Sequence, residues 1–532
     1  MPATANNYDI LIISDDVVGK KMAGPGIRAW ELSRCLAQYF RVVLAVPDYS
    51  PLSSLEKGNE SGEQPLELKN SSRPHFHQIT QKSSPHSFDL TTYSLANPSP
   101  LRELVQRSQV IIIQGYILSK FPFLKKTAAH LIIDLYVPFP LENLFVHKWK
   151  VSSRQEREFI HYNDLRVFNE QILYGDHFLC ASQRQRDLFL GSLLSLNRIN
   201  PATLDFDPDL THLISIVPFG IAGDGEEARG GENEKKGGDM ATSLLTGQQE
   251  KEKDLAAKNT ERAGESRAEP GPLRQRLPQG GKDDIVLLWG GVISNWFDPL
   301  ILIKAVKKVS EQDPRVKLFF LSTSHPNPLL PEFDLAREAV NLAQELNLFD
   351  KFVFFNHEWV DYDRRGEYFR DADIGVSIHH LHFETYFSFR TRILDYFKYE
   401  LPIICTEGDC LAEMVKEREL GLVVPAGDEE ALVQAIIKMM GDRQFRSRSA
   451  SNIRQLKPHF YWSTVTKPLI CYCQEVLAGK VRKEIKSSPA KVATLLAKPK
   501  NPWREIGKKI FGFRYMRWSP SLAAKVKRLL KM

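Results

Sequence analysis

Between residues 371 and 427, five polar side chains have the types and spacing to hold a charged, hydroxyl-rich ligand: Glu384, Ser388, Arg390, Arg392 and Asp395. Two guanidinium groups so close together can concentrate positive charge on a phosphate, and carboxylates accept hydrogen bonds from hydroxyls. Arg390 and Arg392 lead into the helical pattern that carries Asp395. They either face the ligand or pair with Asp395 and surface acids. Nothing among these residues resembles a metal-ligating cluster, and the pair His379-His380 fits a strand end, so no metal is expected.

Four further groups could contribute. Gly24 and Gly26 precede a helical segment that begins at Ile27, and small residues there make either a plain tight turn or a close approach to an anion or sugar hydroxyl. Arg28, in the first turn of that helix, could add a charge-assisted contact. Gly290 and Gly291 end an apolar run and are followed by Ser294, Asn295, Trp296 and Asp298, with no basic residue before Lys304. Asp134 stands near the end of the run Leu131–Leu135, either as a polar group at the reacting centre or as a turn former.

The elements that must position these residues follow from periodicity. Tyr8 to Ile13, Val42 to Val46, Val110 to Ile113, His177 to Ala181 and Ile214 to Val217 are short apolar runs, as expected of buried parallel strands. Ile285 to Trp289, Phe352 to Phe355, Ile374 to Ile378, Pro402 to Cys405 and Leu422 to Val424 repeat the pattern. Helical periodicity separates them, notably over Arg154 to Tyr174, Ser388 to Tyr399 and Trp462 to Leu477. Ser182 with Gln185 predicts a capping box, and Asp298 before Pro299 predicts a helix start. Pro51 to Pro98 is expected to be largely a surface excursion. Alternation of this kind predicts an α/β fold, whose ligands bind beyond the carboxyl ends of the strands.

The pattern of Glu384, then Leu394-Asp395 on a helix, then Leu401-Pro402-Ile403-Ile404, resembles the donor site of retaining GT-B glycosyltransferases. These are the glycogen synthase-like glycosyltransferase family 4, also called glycosyl transferases group 1. WGGVISNWFDPL and SFRTRILDYF are similar to a bacterial subgroup of surface-polysaccharide clusters. The resemblance implies that Glu384 contacts the donor sugar and that Asp395 holds the ribose. It also implies that Gly24 and Gly26 face the donor phosphates; Gly290, Gly291, Asn295, Ser388, Arg390 and Arg392 are the further residues expected to bind the donor. Here Asp395 replaces the family's usual Glu and Glu400 its usual Gly, ten residues separate Glu384 from Asp395 instead of seven, and the usual Arg/Lys clamp and strand-end His have no counterpart. Arg390 and Arg392 are the expected substitutes for the clamp, and Asp134 the polar group nearest the missing His.

At 532 residues the chain is long enough for two or three domains, and no apolar run reaches the roughly 18 residues of a membrane span. The N-terminus runs almost directly into a strand, without a secretory leader pattern. Six scattered cysteines are expected to be reduced and structural. Residues 222–284 contain no Phe, Trp or Tyr and too little apolar surface to offset ordering, which costs roughly 1–2 kcal/mol per residue. They are expected to be a disordered insertion. From Lys480 onward the chain carries +14, so the rest sums to −8 against the overall +6. That tail interleaves aromatics with its cations, which suits an anionic membrane surface; a solvated tail and, less favoured, nucleic-acid binding use the same residue types.

The expected architecture is therefore GT-B: two Rossmann-like domains (1–221 on the acceptor side, 285–478 on the nucleotide-sugar side) facing across a cleft, with the 222–284 insertion and a basic tail, 479–532. The expected reaction is metal-independent, retaining transfer of a sugar from a nucleotide-diphosphate sugar to an acceptor hydroxyl, without a cofactor. Glu384, Asp134 and Arg390 would lie at the reacting centre, and the acceptor would be a glycan or lipid-linked glycan. The expected location is cytoplasmic, peripheral on the inner face of the plasma membrane. The rivals are a non-hydrolysing sugar-nucleotide epimerase and a degenerate binding or scaffold protein.

Overall fold

Two separate sheets form, because the apolar runs are buried on both faces and each set is joined by helical crossovers. The computed structural model describes residues 8–48, 76–79, 88–150, 153–223, 272–277, 283–325 and 334–481. The first sheet holds β1 (Tyr8–Ile13), β2 (Val42–Pro47), β3 (Phe76–Ile79), β4 (Phe88–Tyr93), β5 (Ser108–Gln114), β6 (His130–Asp134), β7 (His177–Cys180) and β8 (Ile214–Ile216). Their order is β3-β4-β2-β1-β5-β6-β7-β8, parallel except for β3. The second holds β9 (Ile285–Val292), β10 (Val316–Ser322), β11 (Val353–Phe355), β12 (Ile374–Ser377), β13 (Ile403–Thr406) and β14 (Gly421–Val424). It is wholly parallel, in the order β11-β10-β9-β12-β13-β14.

Strand order reverses at β1/β5 in the first sheet and at β9/β12 in the second, and such reversals open crevices at the strand ends. In the second sheet Tyr396 holds that crevice in shape. Its hydroxyl lies 3.0 and 2.6 Å from the carbonyl oxygens of Leu288 and Val376, and accepts the Gly290 N–H at 3.1 Å.

The lobes are tied at two places. At the crossover, the Ile221 N–H donates to Phe460 O (2.8 Å) and the Trp462 N–H to Ile221 O (3.0 Å). The helix Lys467–Leu477 then lies against the first sheet, where Tyr472 stacks on His177 at 3.9 Å. At the other end, Arg184 reaches the second lobe: it pairs with Glu413, donates to Gly408 O (2.8 Å) and lies 4.1 Å from the Tyr386 ring. Gln185 Nε2 donates to both Tyr136 O (3.0 Å) and Phe387 O (2.9 Å), one carbonyl from each lobe.

Several expectations need correction. Residues 88–93 of the expected excursion form β4, which pairs with β2 because Phe88, Leu90 and Tyr93 supply a buried face. Residues 272–277, placed in the disordered insertion, dock on the second lobe. Leu273 and Leu277 are buried, and Asp371 accepts the N–H groups of Leu273 (3.1 Å) and Arg274 (3.2 Å). Arg274 also pairs with Asp373 at 2.7 Å. Two leucines four residues apart, with an arginine between facing acids, suffice without any aromatic. Residues 224–271, 278–282 and 482–532, including nearly all of the basic tail, lie outside the described residues.

At Ser182 the cap forms (Gln185 N–H to Ser182 Oγ, 3.2 Å), but the Gln185 side chain accepts from Ala181 N–H, so the reciprocal box does not close. The helix expected over Ser388 to Tyr399 runs only over Arg392–Lys398, after a short helix Phe383–Phe387. The Asp298 cap is present, accepting from Ile301 N–H at 3.1 Å.

Candidate functional site

Both crevices open into one cleft of about 540 Å³ between the lobes. The first lobe contributes the loop after β1 (Asp15, Asp16), the end of β5 (Gln114 to Tyr116) and the turn after β6 that leads into the helix Phe139–Lys150. The second contributes Gly290 and Gly291 at the end of β9, and the segment 389–395 after β12. Charge is segregated across the cleft. The acids Asp15, Asp16, Asp134 and Glu142 line the first-lobe wall, which has no Lys, Arg or His among the described residues. Arg365, Arg390, Arg392 and Lys398 line the opposite wall, with Asp395 as its one acid.

Arg392 is the most distinctive group on the basic wall. Its guanidinium lies over the rings of Trp289 (4.2 Å) and Phe297 (4.1 Å), and Nη2 donates to Val292 O at 2.7 Å. Nε and Nη1 are buried without a hydrogen-bond partner, and no carboxylate forms an ion pair with it among the described residues. Burial pushes its pKa down to about 10, which leaves it cationic at neutral pH. Gly291 faces it with φ +130°, where an L side chain would be strained. A Cβ on Gly290 would meet the Phe369 ring at 2.8 Å.

Arg390 is compensated from behind. It donates to Glu384 Oε2 at 3.0 Å, while Ser388 hydrogen-bonds Glu384 Oε1. Asp395 lines the cleft and pairs with Arg365 at 2.7 Å, so the alternative in which Arg390 and Arg392 pair with Asp395 is not what forms.

The structure therefore brings Gly24, Asp134, Gly290, Gly291, Arg390, Arg392 and Asp395 to the cleft, while Gly26, Glu384, Ser388 and Asn295 do not line it. Glu384, expected at the sugar, and Ser388, expected near the diphosphate, do not line it; both are buried, with Glu384 bonded to Arg390 and Ser388. Asn295 is buried off the cleft wall. Gly26 serves packing, since a Cβ there would lie 2.0 Å from Val17 O.

Asp134 reaches the cleft, but both its oxygens are taken by the fully buried Arg28, at 2.6 and 2.9 Å. Arg28 also donates to the carbonyls of Val217 (2.9 Å) and Pro218 (3.1 Å). Asp134, expected at the reacting centre, and Arg28, expected as a possible ligand contact, therefore form a matched ion pair at the cleft wall.

Four important residues were missed. Glu142, in the first turn after a strand end, was the one with a usable signal. Gln171, Arg365 and Tyr396 look like ordinary helical positions until the fold brings them together. Glu142 is half-buried, and burial followed by the Glu384 charge pushes its pKa up to about 7, with Arg390 opposing.

Among the described residues there is no group of three potential metal ligands, and no helix long and apolar enough to cross a membrane. The six cysteines form no disulfide.

Residues 283–442 match a family model described as Glycosyl transferases group 1. By sequence, no curated protein matches the chain at a significant level. Solved structures do match over most of its length. HepE from Anabaena, in complex with UDP and glucose, is 14% identical, with 89% of this chain and 100% of that one covered and a TM-score of 0.54. Sucrose-phosphate synthase from Thermosynechococcus elongatus is 17% identical, with 88% and 99% covered and a TM-score of 0.52. An α,α-trehalose-phosphate synthase (UDP-forming) from Burkholderia xenovorans, in complex with glucose-6-phosphate, is 11% identical, with 88% and 100% covered and a TM-score of 0.50. The two facing parallel sheets are the GT-B fold.

Proposed function

We propose that this protein transfers a glycosyl group from a nucleotide-diphosphate sugar to an acceptor hydroxyl, with retention at the anomeric carbon and without a metal. One contrast carries the reading. Arg28, an arginine that serves structure, has its charge fully matched by Asp134, whereas Arg392 lines the cleft with no matching carboxylate. A buried, uncompensated cation costs several kcal/mol, a cost that an anion entering the cleft recovers. The match to the glycosyl transferases group 1 model over the second lobe supports a nucleotide diphosphate as that anion.

In the reaction, the acceptor oxygen bonds to the anomeric carbon as the bond to the diphosphate oxygen breaks. The electron pair leaves on the diphosphate, and with retention the hydroxyl proton can pass to that departing oxygen on the same face. Arg392 and Arg390 stabilise the growing negative charge, with Glu384 and Ser388 holding Arg390 in place. Asp395, fixed by Arg365, takes the ribose hydroxyls. Gly290 and Gly291 let the backbone approach the phosphates.

The acceptor would be a cell-surface glycan or lipid-linked glycan met on the cytoplasmic side. The basic, aromatic tail would hold the enzyme at an anionic membrane, and vesicle sedimentation with and without residues 480–532 tests this.

The reading is tested by thermal shift against a panel of nucleotide sugars, since ligand binding stabilises the folded state. A hit is expected. Arg392→Ala should weaken it by roughly 10–100-fold, the worth of a charge-assisted contact, and Arg390→Ala by less. Unchanged affinity in both variants would sink the assignment.

A further inference from the structure

Which acceptor chemistry the cleft admits can be read from its first-lobe wall. Of the four acids there, Asp134 is neutralised by Arg28, and Asp15 by Lys120 together with the Tyr116 N–H at 2.8 Å. Asp16 accepts Val17 N–H at 2.8 Å. The Glu142 backbone N–H donates to Pro138 O at 3.2 Å, but its carboxylate forms no hydrogen bond or ion pair among the described residues. A second group is independent of these acids. Gln171, 1% exposed, reaches the wall from the helix Arg154–Tyr174 and donates Nε2 to Gly115 O. That bond fixes the amide orientation and leaves Oε1 buried with no donor.

The backbone segments that carry these two side chains are held by neighbouring hydrogen bonds. Asn143, next to Glu142, donates to Tyr116 Oη (3.1 Å) and to Asp164 (2.9 Å), and the Tyr116 hydroxyl donates to Asp164 at 2.8 Å. Tyr116 in turn follows Gly115, which anchors Gln171. The wall therefore offers fixed hydrogen-bond acceptors and no cation.

With the first lobe taken as the acceptor side, we infer that this wall admits a neutral polyhydroxyl group, with Glu142 and Gln171 Oε1 accepting hydrogen bonds from its hydroxyls. A phosphate or carboxylate on the accepting sugar would meet the unmatched Glu142 carboxylate and no Lys, Arg or His among the described residues of this wall, so phosphorylated sugars are disfavoured. The inference rests on the transferase reading above, and it goes further by naming the class of acceptor.

The experiment measures nucleotide release from the best-binding nucleotide sugar, with matched acceptor pools: neutral mono- and disaccharide glycosides, and their 6-phosphates and uronates. Neutral members are expected to stimulate release, and charged members to do so at least tenfold less. Glu142→Gln and Gln171→Leu should each lower acceptor kcat/KM roughly tenfold, the worth of one hydrogen bond, with donor KM unchanged. Stimulation by charged members alone, by no neutral member, or an unmoved acceptor KM in both variants would overturn the inference while leaving donor binding, and so the transferase reading, intact. A protein that binds no nucleotide sugar would fail the transferase reading and take this one with it.

Discussion

At the scale of single residues, Arg392 trades stability for function. Its cation is buried over two aromatic rings with no ion-pair partner, an arrangement that hydrophobic replacement commonly stabilises. Arg392→Met should therefore raise the ligand-free melting temperature by a few degrees, for about 1 kcal/mol or more, while weakening nucleotide-sugar binding; a lower melting temperature would show the charge to be matched after all. Glu142 gives the pH signature. Its pKa is raised to about 7, so folding takes up a proton there. The stability it contributes is complete below the ordinary carboxyl range, near 4, and is lost as pH rises through about 7. Wild type should thus lose melting temperature relative to Glu142→Gln between pH 5 and pH 8. Over the same window acceptor KM should fall in wild type, as the carboxylate ionises against burial and the Glu384 charge, and stay flat in the variant.

At the scale of elements, two local anchors stand out. Glu400 ends the helix Arg392–Lys398 region with φ +57°, a left-handed conformation that usually favours glycine. It is held there by Arg454 (2.6 Å) and by the buried Lys457 (3.1 Å). Glu400→Ala keeps the strain and removes an acceptor from a buried ammonium, so a loss of about 2 kcal/mol in a denaturant titration is expected. Glycine, the residue usual in the resembled family, would relieve the strain and lose the same partners. The short docked segment 272–277 makes the second case. Arg274→Ala strips Asp373 and the Asp371 carbonyl of a donor and should destabilise the second lobe by about 2 kcal/mol; unaltered unfolding would mean the segment is dispensable.

At the scale of the whole molecule, the lobes meet through a continuous crossover on one side of the cleft and a small polar latch on the other. The latch is Arg184 with Glu413 and Gly408 O, Gln185 between Tyr136 O and Phe387 O, and Phe145 stacked on His382 at 3.8 Å. None of these residues is assigned to the chemistry. Weakening them should lower the population of the assembled cleft and raise donor KM by the same factor. Arg184→Ala is expected to increase the radius of gyration in small-angle scattering without ligand, with nucleotide sugar restoring it. An unchanged radius would identify the contacts as incidental to closure.

Much of the fold was legible because buried parallel strands are apolar along their whole length, a signal that survives in one dimension. The eleven runs read as strands all lie in or beside observed ones, and among the strands not named, β4 has alternating polar residues that diluted its signal. The site was only half legible. Arg390, Arg392 and Asp395 could be named because they crowd into six residues. Chain order alone could not say which acid each arginine meets. Asp134 and Arg28 are 106 residues apart, yet their bidentate contact matches the two charges at the cleft wall. Glu384, close in sequence to Arg390, turned out to support it from behind. Residue type and spacing thus determined the sheets and the basic wall. The tertiary structure alone decided which charges are matched, because ion pairing depends on distance and burial in space.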